Sequence, residues 1–306
     1  MSISVRTSGP DGRVVGDGQP RRRLPEWIKT TSRRNEKYAR VRNILKGHGL
    51  HSVCEEASCP NIGECWSEGT ATFMILGKYC TRNCKFCDVL TGKPQGVDWD
   101  EPARLAKVVA DLKLKQVVIT CVTRDDLPDG GAAVFAETAR LLREQDSEVK
   151  IEFLVSDFAG KKESLKTVLD AGVDVMAHNV ETVGRLQRKV RGRATLERSL
   201  EMLSYMHEHR PRPVVKTGFM LGLGETHEEI VELLHQVKEA GVDLVTIGQY
   251  LAPSLTHLPV EKFYRPEEFE ELARTGHEIG LAHVEAGPLV RSSYRAFNQS
   301  RKLLEK

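Results

Sequence analysis

Short apolar runs alternate with longer amphipathic stretches along most of the chain. Six such runs follow residue 70, namely ATFMIL, QVVITCV, KIEFLV, VDVMAHNV, VVKTGFML and DLVTIGQYL. The stretches between them carry apolar residues at helical spacing. Strands that alternate with helices in this way predict βαβ units and a parallel sheet. Because such crossovers are right-handed, about six in succession predict a partial or full β/α barrel, with a doubly wound open sheet as the alternative.

Some helix ends are marked by residues that satisfy free backbone groups. Thr226 with Glu229 predicts a capping box, and Asp100 with Pro102 predicts an N-cap followed by a first helical turn. A further amphipathic helix is predicted from Arg33 to Lys46. The run HVEAGPLV near the C-terminus is expected to close or edge the sheet.

The composition is that of a globular protein with a sizeable core. The chain has 306 residues, of which 40% are hydrophobic and 29% charged, with a formal net charge of +2. No apolar run approaches the ~18 residues that a membrane span needs, and the first residues lack the apolar segment of a secretory signal. We therefore expect a cytoplasmic protein without a membrane partner, with a mitochondrial location as the less favoured alternative.

Positive charge is concentrated at the N-terminus. Residues 1–45 hold eleven Lys or Arg and four Asp or Glu, a net charge of +7, which leaves −5 for the rest of the chain. Residues 1–25 are rich in Gly, Pro, Ser and Arg and are expected to form a flexible basic segment. The alternative is a basic arm that meets an acidic partner. Because the remainder of the chain is acidic, we expect no nucleic-acid partner.

The seven cysteines are the strongest indication of chemistry. An odd number in a chain without an export signal favours reduced thiols used for metal or redox chemistry. Cys80, Cys84 and Cys87 (the loop triplet) are spaced C-x3-C-x2-C in YCTRNCKFC, after the first strand of the predicted barrel, where active sites lie. Three thiolates in one short loop are typical of an iron–sulfur cluster with one iron open to an outside ligand. A zinc site is the alternative, although a matching second pair of ligands is missing.

Two more motifs flank the predicted barrel. Cys54, Cys59 and Cys65 (the N-terminal triplet) are spaced C-x4-C-x5-C in HSVCEEASCPNIGECW, and Ser292 and Ser293 lie in GPLVRSSYRAF. Without the cysteines, the serines would be interpreted as a turn whose hydroxyls cap backbone groups.

The loop triplet after a first β/α strand resembles the radical S-adenosylmethionine superfamily, and all three motifs together resemble its lipoyl synthase family. The resemblance covers nearly the whole chain from about residue 25. It implies an α/β fold with a partial (β/α)6-type barrel at residues 71–282. An extension at 26–70 and a C-terminal segment at 283–306 with the RSSY motif would carry an auxiliary cluster.

The resemblance implies radical sulfur insertion with two 4Fe–4S clusters. The loop triplet would hold the cluster that binds S-adenosylmethionine and generates radicals. The N-terminal triplet would hold the auxiliary cluster with Ser293 as its fourth ligand, or with Ser292, since spacing alone does not separate the two serines. In the family, two sulfur atoms from this cluster are inserted at C6 and C8 of an octanoyl chain attached to a lysine of a lipoyl carrier domain.

The resemblance also implies partners. These are octanoylated carrier domains of 2-oxoacid dehydrogenase or glycine cleavage complexes, an electron donor, and an iron–sulfur carrier that rebuilds the auxiliary cluster. A monomer is expected, because the sequence shows no sign of an apolar interface. Two other functions are alternatives: another radical sulfur-inserting or methylthio-transferring enzyme, and a noncatalytic zinc- or cluster-bearing nucleic-acid binder.

Three further segments are candidates for contacts with S-adenosylmethionine. Gly130 and Gly131 in DDLPDGGA lie at a predicted helix start, where free N–H groups suit an anion. Asn179 and Glu181 in HNVET follow the fourth predicted strand and are possible hydrogen-bonding partners. Gly224 in LGLGET resembles the glycine-containing segment of the superfamily. The structural alternatives are a Gly-rich turn, helix capping and a strand-to-helix loop.

Other conspicuous residues are predicted to be structural. Cys121 within VVITCV is expected in the core, because free cysteine is among the most buried residue types. His178 has no partner at metal-ligand spacing and is expected to be structural. Arg124 and Arg193 could hold a carboxylate or the carrier domain, but are expected to be solvated at the surface.

Overall fold

The computed structural model describes residues 24–30 and 34–305. The predicted basic segment, residues 1–25, therefore lies almost entirely outside the described residues. The same is true of Arg33, the predicted first residue of the first helix.

Eight strands form one sheet in the order in which they occur in the chain. The first strand is antiparallel to the second, and neighbouring strands from the second onward run parallel. The first and last strands are the edges, so the sheet does not close. The strands are β1 (His51–Ser52), β2 (Thr72–Ile75), β3 (Gln116–Cys121), β4 (Lys150–Leu154), β5 (Val175–Ala177), β6 (Val214–Leu221), β7 (Leu244–Gln249) and β8 (His283–Gly287). Each predicted apolar run contains one strand, and HVEAGPLV supplies the edge strand β8, which confirms a partial β/α barrel.

The helices precede the barrel, connect its strands or follow it. They are α1 (Glu36–Gly47), α2 (Val53–Glu56), α3 (Ile62–Glu68), α4 (Glu101–Leu112), α5 (Ala132–Gln145), α6 (Lys162–Asp170), α7 (Gln187–Arg191), α8 (Leu196–Glu208), α9 (His227–Glu239), α10 (Pro266–Glu278) and α11 (Ala296–Leu304). Among the connecting helices, α4 packs on α5, α5 on α6, α6 on α8, α8 on α9 and α9 on α10. Within the described ranges, no helix combines the length and apolar character needed to cross a bilayer.

The two predicted helix starts have different outcomes. The capping box at α9 is confirmed, because Thr226 accepts from the Glu229 backbone while Glu229 accepts from the Thr226 backbone. Asp100 does precede α4, and Pro102 lies in its first turn. The predicted capping bond of Asp100 is wrong, since its backbone is already in the right-handed helical region and its side chain makes no capping contact.

A chain of polar side chains links helix α11 to strands of the sheet. Helix α11 contacts both β3 and β6, which are three places apart in the sheet. Ser300 of α11 donates to Gln116 Oε1 at 3.1 Å, and Gln116 Nε2 donates to Glu152 at 2.9 Å. Glu152 also pairs with Lys216 at 2.6 Å, and these two side chains are 1% and 0% exposed. Each buried charge thus has an opposite charge or a hydrogen-bonding partner.

Removing one member of this buried pair should destabilise the fold. We expect Lys216→Met to lower the free energy of unfolding by about 3 kcal/mol, because Glu152 would remain as a buried charge without its cation. Adding Glu152→Leu should recover most of the loss. Denaturant unfolding followed by circular dichroism measures both effects. Equal stability of the single variant and the wild type would contradict the argument.

Candidate active site

The loop triplet lies directly beyond β2 and is anchored on both sides. Cys80 donates its N–H to the Leu90 carbonyl at 2.8 Å, and the Lys85 N–H donates to the Val190 carbonyl at 2.8 Å. The thiol of Cys84 donates to the carbonyl of Arg191 at 3.6 Å. The loop is therefore fixed to helix α7. Cys84 and Arg191 are 107 residues apart in the sequence but adjacent in space.

All three thiols of the loop triplet are free and half-buried. Burial raises the pKa of Cys84 to about 11 and that of Cys87 to about 12. The neighbouring thiolates raise both pKa values further, since Cys80 acts on Cys84 and both act on Cys87. The three sulfur groups are therefore close enough to interact electrostatically.

A buried ion-pair network supports the loop. Arg82, between the first two cysteines of the triplet, is 8% exposed and pairs with Asp157 at 2.6 Å and Asp125 at 2.7 Å. Arg198 also reaches Asp157 at 3.1 Å. Burial alone would raise the pKa of Asp157, but the hydrogen bond and charge of Arg82 lower it well below its usual range. Asp157 therefore stays ionised and holds Arg82 in place.

A second network surrounds the buried side chain of Arg191. Its guanidinium donates to Ser199 Oγ at 2.9 Å, and Ser199 contacts His178 Nε2 at 2.9 Å. The other ring nitrogen of His178 contacts the Val155 carbonyl at 3.0 Å. These contacts fit a neutral imidazole, in which Nδ1–H donates to Val155 and Nε2 accepts from Ser199. His178 is thus structural, as predicted.

The structure brings Asn179 and Glu181 next to the loop triplet. Glu181 has a φ of 65°. Its N–H donates to the Gly218 carbonyl at 3.0 Å, and its carbonyl accepts from the Met220 N–H at 2.9 Å. Its charge raises the pKa of Cys84, and burial raises its own pKa. Asn179, two residues earlier, lowers the pKa of Glu181, against the larger effect of burial. Their contact with S-adenosylmethionine stays a prediction.

The glycine candidates have clear packing roles. A Cβ on Gly131 would lie 2.3 Å from Leu76, and one on Gly130 would lie 2.9 Å from Phe158. The N–H groups of Gly131 and Ala133 already donate to the Asp129 carboxylate, so these donors are occupied within the chain. Binding of the cosubstrate here stays a prediction.

Gly224 lies in a tight loop between β6 and α9. Its φ is 102°, a conformation that favours glycine. The nearby Glu225 carboxylate accepts the N–H groups of Gly222 at 2.5 Å and Leu223 at 2.9 Å, which fixes the loop. The proposed contact of Gly224 with the cosubstrate stays a prediction.

The N-terminal triplet lies on α2, on α3 and in the turn between them. The Cys59 N–H donates to the Cys54 carbonyl at 3.1 Å, and the Cys65 N–H to the Asn61 carbonyl at 2.9 Å. Burial raises the pKa of Cys59 to about 11 and that of Cys65 to about 12, and Cys54 raises both further. These three sulfur groups therefore also interact electrostatically with one another. None of the three forms a disulfide.

The C-terminal segment is bound directly to this triplet's scaffold. Asn61 Nδ2 donates to the Leu289 carbonyl at 2.7 Å. The Tyr294 hydroxyl and the Arg295 guanidinium each donate to Glu64 Oε1 at 2.8 Å. The charge of Arg291 lowers the pKa of Cys59, against the larger effect of burial.

The two serines of RSSY have different surroundings. Ser292 Oγ donates to Asn179 Oδ1 at 3.0 Å. The Ser293 hydroxyl makes no hydrogen bond with any of the residues that the structure describes. The structure therefore separates two neighbours that spacing in the sequence could not.

Each triplet offers three free thiols, a donor set that suits an iron–sulfur cluster with one iron open to another ligand. Among residues 24–30 and 34–305, no group of three or more His, Cys, Asp or Glu side chains is spaced to hold one metal ion. Each triplet nevertheless gathers three free, interacting thiols. An iron–sulfur cubane takes one ligand on each iron, so its ligands stand further apart than those of a single ion.

The sequence did not reveal that Arg82 supports the site, and the prediction that Arg124 is solvated is wrong. Arg82 lies within the cysteine loop, but its type gave no sign that it would be buried with Asp157. Arg124, predicted to be solvated, is 2% exposed and pairs with Asp126 at 2.8 Å. Arg193 is exposed, as predicted. Cys121 packs against the core, as predicted, and lies close enough to Cys80 to interact electrostatically.

Comparison with known proteins identifies the family. The model of the Radical SAM superfamily matches residues 74–237, and that of the N-terminal domain of lipoyl synthase matches residues 6–59. The lipoyl synthase of Symbiobacterium thermophilum is 51% identical over 91% of this chain and 87% of its own length. Those of Rubrobacter xylanophilus and Geobacillus thermodenitrificans are 49% and 52% identical, over 95% and 90% of this chain and 92% and 93% of their own lengths. The chain belongs to the lipoyl synthase family.

The solved structures agree on the fold. SuiB of Streptococcus suis bound to precursor peptide SuiA has a TM-score of 0.55 at 14% identity, over 87% of this chain and 55% of that chain. SuiB bound to S-adenosylmethionine has a TM-score of 0.56 at 13% identity, over 79% of this chain and 56% of that chain. This lipoyl synthase family member thus spans about half the length of those structures. At such low identity they support the barrel alone.

The neutral His178 gives this family member a testable pH dependence. Burial, with a smaller contribution from Arg191, lowers the pKa of His178 from 6.5 to about 4. Because the fold favours the neutral ring, the stability that it contributes is complete above pH 6.5 and is lost as the pH falls from 6.5 towards 4. When the pH falls from about 7.5 to about 5.5, the free energy of unfolding should drop by about 1.3 kcal/mol more in the wild type than in His178→Gln.

Denaturant unfolding at several pH values measures this difference, and changes that affect both proteins alike cancel in the comparison. Parallel pH profiles of the wild type and His178→Gln would show that the ring is not held neutral.

Proposed function

We propose that this chain inserts two sulfur atoms, at C6 and C8, into an octanoyl chain attached to a lysine of a lipoyl carrier domain. Membership of the lipoyl synthase family supports the reaction. The single observation that supports the chemistry is the contact between the RSSY segment and the N-terminal triplet through Glu64. The contact supports the proposal because it joins the serine-bearing segment to the helix that carries Cys65, outside residues 74–237, which match the Radical SAM superfamily.

The loop triplet would hold the radical-generating 4Fe–4S cluster. When bound, this cluster supplies the electron that cleaves S-adenosylmethionine to a carbon radical, which can take hydrogen from carbons that acid–base chemistry does not reach. The chain contributes a fixed loop, held by Arg82 and by the backbone of Val190. Asn179, Glu181 and Gly224 are proposed to orient the cosubstrate at this rim.

The N-terminal triplet and Ser293 would hold the auxiliary 4Fe–4S cluster as the sulfur source. The geometry supports Ser293 over Ser292, because the Ser292 hydroxyl is engaged with Asn179. A serine oxygen is an unusual and labile ligand for iron, so it can leave while the thiolates hold. The nearby guanidinium of Arg291 favours the thiolate form of Cys59, the form that binds metal.

The remaining expectations concern partners and setting. Octanoylated carrier domains follow from the family, whereas their source in 2-oxoacid dehydrogenase or glycine cleavage complexes is a proposal. An electron donor and an iron–sulfur carrier that rebuilds the auxiliary cluster are proposed because the reaction consumes electrons and sulfide. The monomeric state, the cytoplasmic location and the division at residues 25, 70 and 282 stay predictions.

Iron content should distinguish one cluster from two. After anaerobic reconstitution the wild type should hold about eight iron and about eight sulfide per chain, as two cubanes require. Replacing the whole N-terminal triplet with alanine should leave about four of each. Cys121→Ala is the matched control and should keep about eight iron, because this cysteine belongs to neither triplet. About four iron in the wild type, or zinc in its place, would remove the sulfur-donor assignment.

The two serines provide a matched pair for the reaction itself. With reductant, S-adenosylmethionine and an octanoyl-lysyl peptide, Ser293→Ala should lower sulfur insertion by about 100-fold or more, since it removes a cluster ligand. Formation of 5′-deoxyadenosine should persist, because the loop triplet is intact. Ser292→Ala should keep most of the sulfur insertion.

Mass spectrometry of the peptide gives the readout. If Ser292→Ala lost sulfur insertion while Ser293→Ala kept it, Ser292 would be the serine ligand of the auxiliary cluster. A wild-type product without added sulfur would refute lipoyl synthesis.

A further inference from the structure

We propose that an exposed basic surface beside the loop triplet docks a reduced, acidic one-electron carrier protein. We call it the α7 surface, and it consists of Lys85, Arg188, Lys189 and Arg193. The inference rests on the proposed function, which needs one electron for each S-adenosylmethionine cleaved. The carrier gives up that electron and the oxidised cluster takes it, with no transfer of atoms.

The cations of the α7 surface are available to a partner. All four residues are exposed, and Lys85 and Arg188 form no ion pair with the residues that the structure describes. Lys189 lies 3.9 Å from Glu261, and Arg193 lies 3.9 Å from Asp125, both at the limit of ion pairing. Exposed pairs at this distance contribute little, so the surface keeps its positive potential.

The same surface is separated from the loop triplet by one layer of backbone. The Lys85 N–H donates to the Val190 carbonyl, and the Cys84 thiol contacts the Arg191 carbonyl. The side chains of Val190 and Arg191 are buried beneath the surface. An electron can cross such a packed layer, whereas an acyl chain cannot. This position therefore suits an electron carrier better than the octanoylated domain.

An exposed apolar side chain completes the surface. Leu255 is 44% exposed, and two residues further on His257 contacts the Cys87 carbonyl at 3.1 Å. The next residue, Leu258, donates its N–H to the Lys85 carbonyl at 3.3 Å. The segment is thus joined to the cysteine loop. An apolar contact with a charged rim is typical of small, transient electron-transfer interfaces.

Charge decides the class of partner. Outside residues 1–45 the chain carries a net charge of −5, so a basic surface at this place is a local exception. A partner protein that carries negative charge associates with this surface faster than a neutral one does. This electrostatic steering weakens as the salt concentration rises. Small acidic flavin or iron–sulfur proteins that carry single electrons have this chemistry.

The test compares charge reversal on the α7 surface with reversal elsewhere. The surface variant is Arg188→Glu with Lys189→Glu, which leaves the cysteine loop intact. The control is Lys107→Glu with Lys115→Glu, two exposed lysines on and just after α4. The probe is an acidic flavodoxin. Its binding in the oxidised form is measured by calorimetry, and its reduction of the loop-triplet cluster is followed by electron paramagnetic resonance.

We expect the surface variant to bind the flavodoxin at least about tenfold more weakly at low salt and to be reduced by it correspondingly more slowly. The control variant should match the wild type, and high salt should reduce the difference. Reduction by dithionite should be alike in all three proteins, because a small reductant needs no docking surface.

Three results would overturn the proposal. Unchanged flavodoxin binding and cluster reduction in the surface variant would show that the carrier docks elsewhere. Slower reduction by dithionite as well would show an effect on the cluster itself. With dithionite as reductant, lower activity on an octanoylated carrier domain but not on an octanoyl-lysyl peptide would assign the surface to the substrate. Neither binding nor cluster reduction requires sulfur insertion, so failure of the proposed function would be seen separately.

Discussion

The carboxylate of Glu64 joins two parts of the chain that are 230 residues apart, through the hydroxyl of Tyr294. With the Asn61 contact to Leu289, it fixes the C-terminal segment against the N-terminal triplet. Neither part belongs to the repeating strands and helices of the barrel. Without these contacts the C-terminal segment would lose its hydrogen bonds to the scaffold of the N-terminal triplet. The proposed serine ligand of the auxiliary cluster therefore depends on these contacts.

Local patterns were enough to predict the strands and both triplets. Strand runs and cysteine spacings each involve a few neighbouring residues, so the sequence displays them directly. The errors concern residues whose state depends on distant partners. Arg124 is buried because its guanidinium reaches Asp126 and the carbonyls of Leu76 and Gln95, from separate loops. Asp100 fails to cap because of the backbone conformation that its loop adopts.

The ligand residues are still a prediction, whereas the arrangement of the groups around them is visible only in the structure. Its rigidity comes from buried polar groups that bear no motif. Arg82 is held by Asp157, and Arg191 by Ser199, each satisfied within the protein. Buried charges are costly to leave unpaired, so such networks favour one arrangement over others. Here they fix the cysteine loop to α7, which determines both the position of the loop triplet and the surface exposed above it.

Two consecutive residues of the C-terminal segment link the two triplets. The charge of Arg291 acts on Cys59, while Ser292 donates to Asn179. Glu181, two residues after Asn179, raises the pKa of Cys84. Consecutive Cα atoms lie only about 3.8 Å apart, so one short stretch contacts the surroundings of both sets of thiols. Under the proposed function, an octanoyl chain that lies along this stretch would reach both the proposed radical source and the proposed sulfur source. The segment therefore contacts the surroundings of both triplets, which is why a motif outside the barrel bears on the proposed chemistry.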